Sequence, residues 1–314
     1  MISIALHGGA GDRNRDTLSP EREEEYTRTI TEAMDRGYAV LEAGGSSIDA
    51  VETAIRILED ATCYNSGRGA ALNSLGKAEL DAGIFDGATM HSGAVAGVLR
   101  VRCPIAAARY IMEHTPQVLF IGEHAEAVAE RGGLEMVDNS FFITDEVRAL
   151  YEQGLRAREA AAAEAAAAGA ASSNTEEKVI LGTVGCVALD AHGHMAAGNS
   201  TGGIMHKPAG RVGDTPLAGA GMYAMDGVGA VACTGHGEFF VRTVAAHDVI
   251  ARMRYAGASI ATAMDAVLAD ISRLGGRGGM IGIDAKGTIH LPFSTSSMVR
   301  AGRNAAGVRV VEVW

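Results

Sequence analysis

Proline is scarce in this 314-residue chain, at 6 residues, while glycine is abundant, at 41. That combination excludes a Gly/Pro-rich disordered chain; the glycines instead mark tight turns and close approaches of the backbone. Basic residues are also in short supply, with 27 Lys and Arg against 38 Asp and Glu and a net charge of −11. Such a surface repels phosphate backbones, so nucleic acid is not an expected partner. The four cysteines, Cys63, Cys103, Cys186 and Cys233, lie far apart with no CxxC pair. This spacing argues against a disulfide framework and against a structural zinc site. No apolar run is long enough to span a membrane, and Met1 to His7 lacks the basic and apolar regions of a signal segment; a cytoplasmic protein is expected.

What is present suffices for a core. Hydrophobic residues make up 47% of the chain and charged ones 21%, which fits two domains or one large α/β unit. Ile2, Ile4 and Leu6 alternate with smaller residues and predict a strand running into His7-Gly8-Gly9-Ala10-Gly11. Tyr26, Ile30, Ala33, Tyr38 and Leu41 predict a helix, closed by Gly44-Gly45. Ser47 is expected to cap the next, whose stripe is Ile48, Val51, Ile55 and Leu58. Strands are expected over 79–85, 93–98 and 118–121, and helices over 105–113 and 123–131. Thr144 opens a long helix whose tail, 160–171, is alanine at ten of twelve positions; the polar stretch 172–178 then reads as a linker. Beyond Gly182, strands are expected over 184–189 and 228–234. One helix is predicted over 238–254 and another over 259–274, and short strands near 280–283, 289–292 and 308–313 end the chain. Grouped strands flanked by helices predict stacked sheets between helix layers.

Four polar, glycine-rich clusters follow the linker: Gly182-Thr183-Val184-Gly185, Asn199-Ser200-Thr201-Gly202-Gly203, Gly210-Arg211-Val212-Gly213-Asp214 and Cys233-Thr234-Gly235-His236-Gly237-Glu238. Joined by HGGAG (7–11), YNSGRGAALN (64–73), ELDAGIFDG (79–87), SGAVAGV (92–98) and GGRGGMIGID (275–284), they run in order over nearly the whole chain. In this set the chain resembles the plant-type L-asparaginase/isoaspartyl peptidase family of N-terminal-nucleophile hydrolases.

The resemblance implies an α/β four-layer αββα sandwich, a single domain over 1–314. It would cut itself into 1–182, ending in a flexible linker of about 160–182, and 183–314. Thr183 would be the nucleophile, attacking the Gly182 carbonyl during maturation. Cleavage would free the Thr183 α-amine, which titrates near pH ~8 and can serve as base where an amide cannot. By similarity Thr201 hydrogen-bonds the nucleophile, Thr234 and Gly235 form the oxyanion hole, and Asn65 braces the surroundings of Thr183. Arg211 and Asp214 would clamp the α-carboxylate and α-ammonium of L-asparagine or a β-aspartyl dipeptide. Gly237 would line the same pocket with His236, which stands where family members differ and is assigned no catalytic role.

The resemblance further implies a structural sodium ion on the carbonyls of Leu58, Glu59, Ala61, Tyr64, Ser66 and Arg68, no organic cofactor, and a homodimer of cleaved protomers. His7-Gly8-Gly9 resembles an oxyanion loop of other hydrolases but reads as structural, because Thr234 and Gly235 already fill that role. His192-Gly193-His194 reads as a hairpin turn rather than a metal site. Three other readings remain open at this stage: a glycosylasparaginase-like amidase, a non-cleaving binding relative, and a nucleotide-binding module using residues 7–11 as a phosphate loop. The last lacks any GxGxxG or GxxxxGK[ST] sequence after a strand.

Overall fold

The computed structural model describes residues 1–167 and 182–314; the expected linker and the end of the alanine tail lie outside them. In chain order the elements are β1 (Ser3–Gly11), α1 (Pro20–Glu42), α2 (Ser47–Asp60), β2 (Leu80–Asp86), β3 (Ser92–Val98), α3 (Pro104–His114), β4 (Leu119–Ile121), α4 (Gly122–Arg131) and α5 (Asp145–Ala167). After the undescribed interval come β5 (Val184–Leu189), β6 (Met195–Thr201), β7 (Met222–Met225), β8 (Gly229–Gly235), α6 (Gly237–Thr243), α7 (Ala245–Ala256), α8 (Ile260–Arg273), β9 (Gly278–Asp284), β10 (Ile289–His290), β11 (Ser297–Asn304) and β12 (Arg309–Glu312).

Local chemistry explains most boundaries. Ser19 caps α1 by accepting from the Arg22 N–H, and Pro20 supplies a fixed φ at the first helical position. The cap of α2 is Ser46, not Ser47: Ser46 Oγ accepts from the Asp49 N–H, and Ser47 is the first helical residue. The single helix expected over 238–254 is two helices, broken at Val244 (φ 49°, ψ 47°). There the first N–H groups of α7 turn to another loop, Ala246 donating to Ala220 O and His247 to Gly219 O. Strands β6, β7 and β11 carry no sequence prediction. Every residue of β6 is buried and most are small or polar, so neither alternation nor β-branched side chains announce it.

The strands form two sheets. One has eight strands in the order β12-β11-β1-β5-β6-β2-β3-β4, and the other has four, β10-β9-β8-β7. Helices α1, α2 and α3 pack on the larger sheet, α7 and α8 on the smaller, while β5 and β6 contact β8. Alternation along the strands sorts side chains into separate cores. Ile4 and Leu6 of β1 and Cys186 and Ala188 of β5 face the α1–α3 side. Ala5, Val187, Met195, Ala197 and Phe85 face the smaller sheet, where they meet Ala230, Ala232, Ile281 and Ile283. Val231, Cys233 and Met280 face α7 and α8 on the far side.

Candidate active site

The same parity places the polar residues. If odd-numbered residues of β1, β5, β6 and β2 face the smaller sheet, then so do His7, Thr183, Asn199, Thr201 and Asp81. The register lines them up: His7 lies opposite Gly185, Gly185 opposite Asn199, and Thr201 opposite Asp81. Thr183 precedes Val184, which lies opposite Ser200, so it falls beside Thr201. Thr234, even-numbered like Ala230 and Ala232, comes toward them from β8. The site therefore sits between the sheets, at the end where these strands meet.

Thr183 is buried and its hydroxyl donates to Thr201 Oγ1 at 3.1 Å. That same oxygen accepts the Gly203 N–H at 2.9 Å, so Thr201 is oriented from two sides. Thr215 Oγ1 lies 3.3 Å from Thr183 Oγ1. Thr215 carries no expectation from the sequence, although a hydroxyl directly after Asp214 in the GRVGDTP segment is a usable signal. Asn65 braces the turn after Thr201, donating to Gly203 O at 2.6 Å and accepting from the Ala71 N–H at 2.8 Å.

A small pocket is walled by Gly182, Thr183, Thr201, Arg211, Asp214 and Gly235, among others. Gly182 packs directly on Gly9 of the HGGAG segment, which is the end of β1. A Cβ on either would come within 2.4 Å of the other's Cα, and Gly9 has φ +96°. Both positions thus require glycine, one for space and the other for space and conformation. Thr234 is fully buried, and its hydroxyl oxygen accepts from the Ala10 N–H at 3.3 Å.

Arg211 and Asp214 face one another across Gly237. A Cβ at Gly237 would stand 2.8 Å from Asp214 Oδ1 and 3.1 Å from Arg211 Nη2, so the glycine makes room for both charges. The Arg211 guanidinium pairs with Glu238 Oε1, from Nε at 2.8 Å and Nη2 at 2.7 Å. Asp214 is buried with Oδ2 unpartnered, and burial pushes its carboxyl up to about 7. His236 precedes α6, donates its backbone N–H to Arg277 O, and sets its ring against Phe239.

Two buried charged clusters gave no sequence signal, because their partners are remote in the chain. Lys207, fully buried, donates to Glu79 O at 2.8 Å and lies 3.6 Å from Asp81 Oδ2, behind Gly203. Glu59 accepts from Ser200 Oγ at 2.6 Å and from the Ile105 N–H at 3.0 Å, with burial raising its carboxyl to about 7. The 58–69 loop is tightly wound. A Cβ at Gly67 would meet Glu59 O at 2.3 Å, and one at Gly69 would meet Thr62 O at 2.4 Å and Tyr64 O at 2.9 Å. Two of the carbonyls singled out there already accept protein donors, Glu59 O from the Arg68 N–H and Leu58 O from Ser66 Oγ. His192 and His194 lie on the β5–β6 turn, where Asp190 accepts both their N–H groups. Among the described residues no group of His, Cys, Asp and Glu side chains could hold a metal ion, and no helix is long and apolar enough to cross a membrane.

A family model described as Asparaginase matches residues 1–312. The isoaspartyl peptidase of Salmonella typhimurium (strain LT2) is 46% identical over 299 residues, covering 95% of this chain and 94% of that protein. The isoaspartyl peptidase of Escherichia coli (strain K12) is 45% identical, with 95% and 91% covered. The probable isoaspartyl peptidase/L-asparaginase 2 of Arabidopsis thaliana is 38% identical over 326 residues, covering 99% and 98%. With a family match over nearly its full length, and relatives this similar over almost all of both chains, the chain belongs to the asparaginase family of hydrolases.

Proposed function

We propose that the chain is a self-cleaving threonine amidohydrolase that hydrolyses L-asparagine and β-aspartyl dipeptides through an acyl-enzyme on Thr183. One observation carries the reading: the Thr183 hydroxyl, held by Thr201 with Thr215 alongside, opens onto the pocket that Arg211 and Asp214 also wall. The names of the relatives favour this reading over a glycosylasparaginase.

In maturation Thr183 Oγ attacks the Gly182 carbonyl carbon, the Gly182–Thr183 amide bond breaks, and water hydrolyses the resulting ester. The products are a carboxylate on Gly182 and a free α-amine on Thr183. That amine, with a reference pKa near ~8, takes the hydroxyl proton in the next reaction. Oγ then attacks the side-chain carbonyl of the substrate, and the departing ammonia or amino acid carries the proton away. Water releases aspartate. The Gly235 N–H and the Thr234 hydroxyl, whose oxygen is already anchored by Ala10, stabilise the developing oxyanion, such donors contributing about 3–4 kcal/mol. The Arg211 fork exchanges Glu238 for the substrate α-carboxylate, and Asp214 takes its ammonium.

The arrangement of helices, sheets and three separate cores supports a four-layer αββα sandwich in which both pieces form one domain. The carbonyls crowded inside the 58–69 loop suit a hard monovalent cation, since a carbonyl that accepts one hydrogen bond keeps a second lone pair. A sodium ion held by Leu58, Glu59, Ala61, Tyr64, Ser66 and Arg68 would stiffen the loop that also carries Asn65. A homodimer of cleaved protomers in the cytoplasm completes the reading. Mass spectrometry and N-terminal sequencing test it: active protein should comprise 1–182 and 183–314, and Thr183→Ala should stay full length and inactive. Uncleaved protein with full activity would refute it.

A further inference from the structure

The reaction above leaves His7 without a task, yet its ring is fully buried against the nucleophile's own main chain. The ladder between β1 and β5 ends at the His7–Gly185 pair, and the register of β1 shifts immediately after His7. Thr183 thus lies beyond the ladder, and a side chain supplies the missing partner: His7 Nδ1 is 2.9 Å from Thr183 O. A carbonyl oxygen can only accept, so Nδ1 carries the hydrogen. The ring occupies a slot left by Gly185, where a Cβ would stand 2.3 Å from His7 Nε2 and 2.1 Å from Asn199 Oδ1. Asn199 is fixed by donating from Nδ2 to Gly221 O at 2.6 Å, which leaves its oxygen on the Gly185 side. Nε2 and that oxygen flank the space that Gly185 leaves, where Asn199 favours the protonated ring and burial opposes it more strongly. Burial thus lowers the His7 pKa to about 4, consistent with a neutral ring.

We propose that His7 is a positioning residue: its Nδ1–H anchors the Thr183 carbonyl and thereby aims the Thr183 α-amine and hydroxyl at the substrate. The proposal rests on the function proposed above. Its reason is mechanical. Cleavage frees Thr183 on its N-terminal side, so its orientation depends on what holds its carbonyl and its hydroxyl.

Cleaved His7→Leu and His7→Asn enzymes test it, since the Asn amide can place an N–H near the Nδ1 position and Leu cannot. His7→Leu should lower kcat by about 100-fold with KM nearly unchanged, because misplacing a reacting group by ~1 Å has that effect while the clamp is untouched. His7→Asn should recover most of the loss and keep the acid limb of the pH profile in place. Wild-type kcat in folded, cleaved His7→Leu, or an equal loss in both variants, overturns the proposal. Should His7→Leu fail to fold or cleave, ¹⁵N spectra of the intact protein decide, with His7 assigned by difference against His7→Asn. Hydrogen on Nδ1 at neutral pH supports the anchor, and a ring protonated on Nε2 alone refutes it. That spectrum does not depend on cleavage, so a failure of the proposed function would be seen separately.

Discussion

Asp214, proposed to take the substrate ammonium, works against the fold that holds it. Its carboxyl is pushed up to about 7 by burial, from an ordinary value of 3.8. Between those values the native state holds a proton that the unfolded chain has already released. Stability therefore falls as pH rises from about 4 to about 7, and the deficit is complete above that. Asp214→Asn should raise Tm at pH 8 and leave it unchanged near pH 4, while kcat/KM for β-aspartyl dipeptides collapses with the loss of the ammonium site. Thermal scans at the two pH values check this, and an equal gain at both would locate the effect elsewhere. In the wild type, KM should rise as pH drops through 7 and Asp214 takes up its proton.

His236 provides the complementary case at the same scale. Its place in the TGHGE segment invites a role as general base, which its ring, 6.2 Å from that of Phe239, does not by itself establish. In cleaved His236→Ala the acid limb of kcat/KM should persist at a similar midpoint, because the Thr183 amine remains. Disappearance of the limb with cleavage intact would transfer the base to His236.

At the scale of elements, the break between α6 and α7 is held by contacts rather than by local preference. Val244 sits in the left-handed region, where a β-branched residue is an outlier and strain of about 1–2 kcal/mol is expected. The Ala246 and His247 N–H groups, turned to the 219–220 carbonyls, offset it. Glycine carries no such strain but loses about 0.5–1 kcal/mol to chain entropy. Val244→Gly should therefore be neutral to stabilising by up to about 1 kcal/mol in urea unfolding, despite removing an apolar side chain. A loss larger than that would show that the half-exposed valine packs more usefully than its surroundings suggest.

For the whole molecule, the order of strands decides what the proposed cleavage would do. In the larger sheet β12 and β11 come from the C-terminal piece, β1 from the N-terminal piece, β5 and β6 again from the C-terminal piece, and β2, β3 and β4 from the N-terminal one. Separating the pieces would break the β11–β1, β1–β5 and β6–β2 ladders at once. The cut protein should thus migrate as one species on gel filtration and resolve into two bands only under denaturing conditions. Residues 183–314 produced alone should lack a cooperative unfolding transition, as β5 and β6 would expose the edges that β1 and β2 cover. Spontaneous dissociation of cleaved protein in native buffer would contradict the interleaving.

The residues themselves determined a good deal. Alternation in Ile2, Ile4 and Leu6, the stripes of α2 and α8, and the joint set of glycine-rich motifs sufficed for the α/β class and the family, and singled out Thr183, Thr201, Arg211, Asp214 and Gly235, which the fold brings to one pocket. These features are local, so they are written in the order of the chain. Thr215 was overlooked, while the Arg211–Glu238 pair, the Glu59 and Lys207 clusters and the anchoring of Thr183 by His7 came only with the fold. Each joins groups through a register or a close approach set by which strands lie side by side. A backbone ladder uses the same N–H and C=O groups at every residue, so its choice of partner leaves no mark on the sequence. The missing side chain of Gly185 has meaning only once β1 has laid His7 across it, and only the packed sheet makes β1 the neighbour of β5.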